Sequence, residues 1–550
     1  MYITATFLLL LLDFISLSTE GRHGYRKGTC CLQTIGFLRK EASLLPGTQR
    51  YVRATASEVS DTANSGSEES DEYCKSSDYE RLCHYFSDAE KRVDAEIFAP
   101  LKGSVVRRKV GCDGFIPNSF DLDALGIVPE LFHENFSLRN ENHWGALMHI
   151  RALYLEKRAA EQEFESVSLR RSELAKSYHA SSEAEKASLR ATNLSIRNEA
   201  KSIELRIKHL NEQIQLLVET LPNIVSEDVP PTEPLVEETF PDHQPPEIPA
   251  TIVPHYKVLK HFSHPCTTKS TEISGTGFSA FSGDVSRLER ALVNFMLDTH
   301  YKLFGYTEVS VPLIVSQSTV KVTGHLPRFE EDLFKLDERH RSNGDCAYLI
   351  PTGEIPLLAL FGNARIPRSK LPVWLMAHTP CFRSEIQDYG RQTRGLIRNH
   401  QFGKVELICL CDSERSDRFH SLMISHIEYI LRALELPYRR VLLPAEQLGT
   451  TSSKTVDFEV FFPSLNNYIE VSSCSNTRDY QSTRLNLFTR PRAKVHCING
   501  SGLAIGRTLS AILENYQSLD SNSNLEIRVP KVLQPYLDGQ KTIRRPVPQC

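Results

Sequence analysis

The sequence predicts an α+β protein with a helical arm, on three observations. Apolar residues recur every seven positions at Leu189, Ile196, Ile203, Leu210 and Leu217, with a second set at Ala200, Ile207, Ile214 and Leu221, and this is a coiled-coil seam. Prolines 222, 230, 231, 234, 241, 245, 246, 249 and 254 then end the pattern, because proline neither continues a helix nor enters a sheet interior. Beyond them helices and strands mix. Ser286 to Phe304 is an amphipathic helix with Leu288, Ala291, Leu292, Phe295 and Met296 on one face, and a strand from Tyr306 to Val311 follows and stops at Pro312.

At 550 residues, with 40% hydrophobic and 24% charged, the chain is long enough for two or three domains and a large core. A net charge of -4 and a pI near 6.6 exclude a global charge signature of nucleic-acid binding, so any RNA contact must be local. The thirteen cysteines form no CxxC pair and no Cys/His quartet with zinc spacing, which excludes a cysteine-built metal site and leaves buried free thiols as their reading.

Taken in order, residues 1–21 read as a signal peptide, with five leucines from Leu8 to Leu12 behind Phe7 and small residues near Ser16 to Gly21. Residues 22–56 are transit-like: Arg22, Arg26, Lys27, Arg39, Lys40, Arg50 and Arg53 face the single acid Glu41. Together they resemble the bipartite leader of proteins sent to a plastid through the secretory pathway, as in apicomplexan parasites (apicoplast type). A mitochondrial presequence and plain secretion stay open as alternatives. Residues 57–117 are an acidic, Ser-rich spacer with too few apolar residues for a core, and Arg107-Arg108-Lys109 within it reads first as a solvated patch. With the leader removed, no segment is expected to hold a membrane.

Residues 118–222 hold the arm. Ile150, Leu153, Ala160, Phe164, Val167, Leu174 and Tyr178 carry helical spacing, and the polar stretch Ser177 to Ser182 separates them from the heptads, so two helices must pack antiparallel. Periodicity alone reads this as a dimerisation coil or spacer. A Pro-rich linker, 223–254, leads to a domain over 255–540.

In that domain the run from His378 through Arg383, Ser384 and Glu385 to Arg394, Arg398, Phe402, Lys404 and Glu406 interleaves arginines, aromatics and carboxylates at strand-like spacing around a Gly-containing turn, as a site for a polyphosphate and a flat base needs. It resembles the second signature motif of class II aminoacyl-tRNA synthetases. Its long form, TRGLIR followed by HQF and KVE, resembles the seryl enzymes in particular. The resemblance covers about 400 residues and implies an antiparallel sheet in the catalytic domain, a homodimer built on the helix and strand at 286–312, and a grip of the arm on the long variable arm of a tRNA. Arg170, Arg171, Lys176, Lys186, Arg190 and Arg197 are its candidate tRNA contacts.

The same resemblance assigns the site. Thr352, Gly353 and Glu354 match the family's TxE loop, and with Glu406 and Ser501 they would bind serine, whose ammonium and hydroxyl need carboxylate and hydroxyl partners. The ATP set is Arg383, Ser384, Glu385, Arg398, Phe402, Glu470, Val471, Ser472, Ser473 and Arg507. In it Arg383 holds the α-phosphate, Glu385 the adenine edge and Phe402 the ring face, while Arg507 holds the β- and γ-phosphates at a helix start after glycines that let the backbone approach substrate closely, with the helix expected from Leu509 to Tyr516. Arg383 and Arg507 are the catalytic pair. Glu470 and Ser473 would hold Mg2+ through hard oxygens. The implied reaction is ATP-dependent seryl-adenylate formation and transfer to tRNA-Ser, with tRNA-Sec where present; the rival is a catalytically silent paralogue with an RNA-binding or structural role.

Overall fold

The computed structural model describes residues 125–126, 129–180, 182–241, 252–263, 266–385 and 394–545. All of them lie in the second of two compact units, Asp78–Cys550. Residues 1–56, read as a leader, residues 57–117, read as an acidic spacer with Arg107 to Lys109, prolines 245 to 249 and the motif residues Tyr389 to Thr393 lie outside the described residues.

The heptads form two helices of 37 residues each, α1 (Trp144–Ala180) and α2 (Glu183–Glu219). At about 1.5 Å per residue each is ~55 Å long. Ala160 and Val167 meet Ile196 and Ile203 in a buried seam. Glu163 pairs with Arg206 and Arg170 with Glu199, so seven residues forward on α1 match seven back on α2, which is the antiparallel register. The turn is tighter than its polar composition implied: Ser177 to Ala180 stay helical, and the Glu185 carboxylate accepts the Ser182 N–H at 2.9 Å to start α2.

The arm's base is a separate core. Leu147, Ile150 and Leu153 on α1 and Leu210, Ile214 and Val218 on α2 pack with Phe136 and with Tyr480 of the following domain. Tyr480 also donates its hydroxyl to the Leu221 carbonyl at 2.9 Å. Arg139 is buried and spends its guanidinium on backbone carbonyls of Asn223, Leu448, Gly449 and Ser452, which ties the arm's root to the domain.

An eight-stranded sheet carries the rest. In chain order its strands are β1 (Leu235–Phe240), β2 (Thr307–Glu308), β3 (Val373–Phe382), β4 (Gln401–Asp412), β5 (Tyr438–Leu442), β6 (Lys454–Phe462), β7 (Asn467–Arg478) and β8 (Val495–Ala504); in space the order is β1-β5-β6-β7-β8-β4-β3-β2. Every pairing is antiparallel except β2 with β3. Helices α3 (Asp284–Phe304), α4 (Ser416–Ala433) and α5 (Ile505–Asn515) cover one face, with Leu288, Leu292, Met423, Ile427 and Leu509 among the core residues there. Residues of β4 alternate accordingly: Val405, Leu407, Cys409 and Cys411 join that core, while Ile408 and Leu410 join a smaller core on the other face.

Three expectations are corrected. The stretch read as linker supplies β1, an edge strand paired to β5 from Leu235 opposite Leu442 to Phe240 opposite Tyr438; an edge is where a proline-flanked strand can sit. The strand expected over Tyr306 to Val311 shrinks to Thr307–Glu308. Helix α5 begins at Ile505, four residues earlier than read, and Gly500 and Gly502 before it lie in β8. They give packing room: a side chain at Gly500 would meet Met423 sulfur at 3.0 Å, and one at Gly502 would meet Val405 Cγ1 at 3.0 Å. The described cysteines are free thiols, with Cys381, Cys409, Cys411, Cys474 and Cys497 buried.

Candidate functional site

Strand geometry gathers the site on the sheet face away from the three helices. Phe402, Lys404 and Glu406 alternate along β4 and so share a face. Ser501 on β8 lies directly opposite Glu406, and the register slips just after it, at Gly502. On β7, Glu470 and Ser473 are three residues apart, which in a regular strand puts them on opposite faces. A bulge between Glu470 and Ser472 adds one residue, so Glu470 opposes Glu459 and Ser473 opposes Asp457, two residues apart on β6 and hence on one face. That irregularity brings the two residues read as metal ligands together.

The core of the pocket is a dense polar knot. Thr352 Oγ1 donates to Glu406 Oε2 at 2.7 Å and accepts from Lys404 Nζ at 3.0 Å and from the Glu354 N–H at 3.2 Å. Lys404 Nζ is also 2.6 Å from Glu406 Oε2. Glu354, the first residue of the helix Glu354–Ala359, accepts at Oε1 from Gln481 Nε2 at 2.5 Å and Asn499 Nδ2 at 3.1 Å. His325 Nε2 lies 3.9 Å from Glu354 Oε2. Burial pushes both carboxyls up; Lys404 opposes this at each. Burial, with Arg383 and Lys404 nearby, pushes the His325 imidazole down to about 4, so it is neutral at physiological pH. Gly353 is not slack in this loop, since a Cβ there would stand 3.1 Å from Glu406 Cβ and 3.2 Å from Thr379 Oγ1.

Beside the knot lie the cations. Arg383, one residue past β3, sits with its guanidinium carbon 5.3 Å from the Phe402 ring centre and donates Nε to the Pro351 carbonyl at 3.3 Å. Arg507, in the first turn of α5, donates Nε to the Ile397 carbonyl and Nη1 to the Glu470 carbonyl, both at 2.9 Å, and Nη1 is 3.2 Å from Glu470 Oε2. Arg398 holds Glu385 at 2.5 Å. The Arg383 and Arg507 guanidiniums and the Phe402 ring offer cationic and aromatic groups beside a small acidic pocket.

Some assigned residues face elsewhere. Ser384 spends its hydroxyl on the Glu331 carbonyl at 2.6 Å and its N–H on the Asp332 carbonyl at 2.9 Å, so it anchors the loop at 330–332. Val471 is fully buried in the helix-side core, and Ser472 donates its hydroxyl to the Ser501 carbonyl at 2.6 Å; a ligand could meet only their backbone. On the arm, Arg171, Lys176 and Arg197 are exposed. Arg170 is paired with Glu199, while Lys186 and Arg190 both lie 5.9 Å from the Tyr178 ring centre, with Arg190 Nε bonded to Tyr178 Oη at 3.0 Å.

Sequence reasoning assigned no role to Lys404, Gln481, Asn499, His325 or Asp457. Period-two spacing with Phe402 and Glu406 was a usable signal for Lys404. The others arrive from distant segments and leave no local pattern. Asp457 is buried behind Ser473, whose hydroxyl bonds its carboxyl; its Oδ1 has no hydrogen-bond partner, and burial with Glu470 nearby pushes it well above the usual carboxylate range. Glu470, Ser473 and Asp457 thus present hard oxygens and an unsatisfied buried carboxyl, which fits a divalent cation held against an anionic ligand.

Known proteins resemble this chain in sequence and shape. The tRNA synthetase class II core domain (G, H, P, S and T) matches residues 334–516. The serine–tRNA ligase of Psychrobacter sp. (strain PRwf-1) is 41% identical over 355 residues, 63% of this chain and 82% of that protein. That of Cellvibrio japonicus is 48% identical over 280 residues, 50% of this chain and 63% of that protein, so the chain spans just under two thirds of this relative. The crystal structure of seryl-tRNA synthetase from Pyrococcus horikoshii complexed with ATP aligns with a TM-score of 0.70 at 25% identity, covering 78% of this chain and 100% of that one.

Proposed function

The chain belongs to the serine–tRNA ligase family of class II aminoacyl-tRNA synthetases, and from that premise we propose that it joins L-serine to tRNA-Ser in two steps. The observation that carries the proposal is the contiguity of the acidic Thr352, Glu354, Glu406 and Lys404 knot with Arg383 and Phe402. An amino acid's ammonium fits the knot, and its carboxylate then lies toward the arginine that also meets the nucleotide.

In the first step a serine carboxylate oxygen attacks the α-phosphorus of ATP, forming the mixed anhydride and expelling pyrophosphate. The carboxylate is already ionised, so no general base is required. What the protein contributes is alignment and charge: Arg383 on the α-phosphate, Arg507 on the departing phosphates, Phe402 under the adenine. Backbone carbonyls of Pro351, Ile397 and Glu470 pre-set both guanidiniums. Glu406 and Ser501, opposite each other on β4 and β8, take the serine hydroxyl, and Glu354 takes the ammonium. Mg2+, when bound by Glu470 and Ser473, supplies further neutralisation of the phosphates. In the second step a hydroxyl of the tRNA's terminal adenosine attacks the seryl carbonyl, and AMP leaves.

The arm supports the choice of nucleic acid: a ~55 Å antiparallel pair with exposed arginines can reach a tRNA feature far from the site. A homodimer through the region of α3, and delivery to a plastid by residues 1–56, complete the proposal. The test is charging with purified components: tRNA-Ser should accept labelled serine and other tRNAs should not. Equal charging of an unrelated tRNA would overturn the partner assignment.

A further inference from the structure

We propose that Lys404 is a specificity-determining residue that sets the pocket's charge at minus one, the charge that one ammonium cancels. The inference deepens the serine reading and rests on it.

Lys404 is 8% exposed and contacts no phosphate-facing group; its Nζ is spent on Glu406 Oε2 and Thr352 Oγ1. A hydroxyl has one hydrogen to donate and two lone pairs, and those of Thr352 are all in use, so Thr352 relays position from Lys404 to Glu406 rather than offering the substrate a free hydroxyl. Glu406 is left with Oε1, which carries no hydrogen bond among the described residues and is the atom available to a serine hydroxyl.

The charged and titratable groups around Lys404 come from every neighbouring element. Glu406 shares its strand, and Glu354 comes from the helix after the Thr352 loop. The thiol Cys381 comes from β3, Arg383 from the residue just after it, and His325 from the segment after the helix Gln317–Val322. Asn499 and Ser501 on β8 are neutral. With His325 neutral, Cys381 a thiol and both carboxyls ionised, as the Lys404 ammonium favours against the burial that pushes them up, the inner pocket holds two carboxylates and one ammonium. Arg383 outside it meets anions. A zwitterion is matched end to end: its ammonium completes the inner balance, and its carboxylate meets Arg383.

Without Lys404 two buried carboxylates would share the pocket, and one would take a proton. Serine's ammonium would then have to displace that proton, so binding would become proton-coupled. Lys404 removes this coupling and keeps Glu406 ionised to accept the hydroxyl.

Calorimetric titration of L-serine in two buffers of different ionisation enthalpy, between about pH 6 and 8, counts protons directly. Wild-type protein should bind serine with no net proton release. Lys404→Met should release about one proton per serine and bind at least about tenfold more weakly, more so as pH falls, with ATP affinity within about threefold as the folding control. Lys404→Arg should restore the zero count. Proton release by wild type would overturn the proposal even if Lys404→Met fails to fold, and so would a folded Lys404→Met with unchanged affinity and count. Wild-type protein that binds ATP but no serine would instead overturn the serine reading, and this proposal with it.

Discussion

Arg507 is held by two backbone carbonyls and by Glu470, and Arg383 by one carbonyl and the Phe402 face, so neither needs to reorganise when phosphate arrives. Replacing either by alanine should remove about 3 kcal/mol of transition-state stabilisation, roughly a hundredfold in pyrophosphate exchange, with the far-UV dichroism spectrum unchanged. Exchange at the wild-type rate would remove that arginine from the mechanism. Buried histidines carry a second expectation. Burial pushes His300 and His426 down to about 3 and His325 and His420 to about 4, from an ordinary value of 6.5. The unfolded imidazoles bind protons that the folded ones refuse, so the stability they contribute is whole above pH 6.5 and is lost as pH falls from there toward about 3. The thermal midpoint should therefore drop through that window, and a flat midpoint would mean that these rings are not held neutral. At this scale the motif residues were legible because each is a charged or aromatic group in a recognisable order. Gln481 and Asn499 were not, since nothing local marks a neutral amide that steadies a carboxylate 127 or 145 residues away.

Among the elements, β7 shows why spacing alone misleads: Glu470 and Ser473 share a face only through the bulge at Val471, which no periodicity announces. If the pair holds Mg2+, Ser473→Ala should raise the Mg2+ concentration for half-maximal exchange roughly tenfold or more. Ser472→Ala should not raise it, because that hydroxyl is bonded to the Ser501 carbonyl; equal effects would show that the bulge does not select the ligand. The arm was readable from heptads because one buried seam repeats along both helices. Its root was not, because Leu147, Ile150, Ile214 and Val218 pack on Tyr480, a contact that only the fold creates. This changes how the arm should be cut. Removing residues 164–205 and closing the Glu163 and Arg206 ends with a short turn spares the root. Seryl-adenylate formation should then stay near wild type while charging of tRNA-Ser is lost. Unchanged charging would make the arm a spacer or dimerisation coil. β1 went unread because its prolines hide a six-residue strand whose pairing partner lies some 200 residues later.

The whole molecule separates two tasks, with reach in the arm and chemistry on one sheet face, joined by Arg139 and Tyr480. A chain of net charge -4 must then bind tRNA through local cations. Its affinity should fall steeply with salt, and neutralising Arg171 or Arg190 should flatten the slope by about one unit for each phosphate contact removed. An unchanged slope would place the contacts elsewhere. No helix among the described residues is long and apolar enough to cross a membrane; microscopy of a tagged copy tests the proposed plastid delivery by residues 1–56. The central claim, that the knot of Thr352, Glu354, Lys404, Glu406 and Ser501 selects serine, is tested most directly by amino-acid-dependent ATP–pyrophosphate exchange. Serine should drive exchange and alanine should be weaker by roughly a thousandfold or more, because the groups that met the hydroxyl are left unpaired. Comparable exchange with alanine and serine, or none with serine, would contradict it.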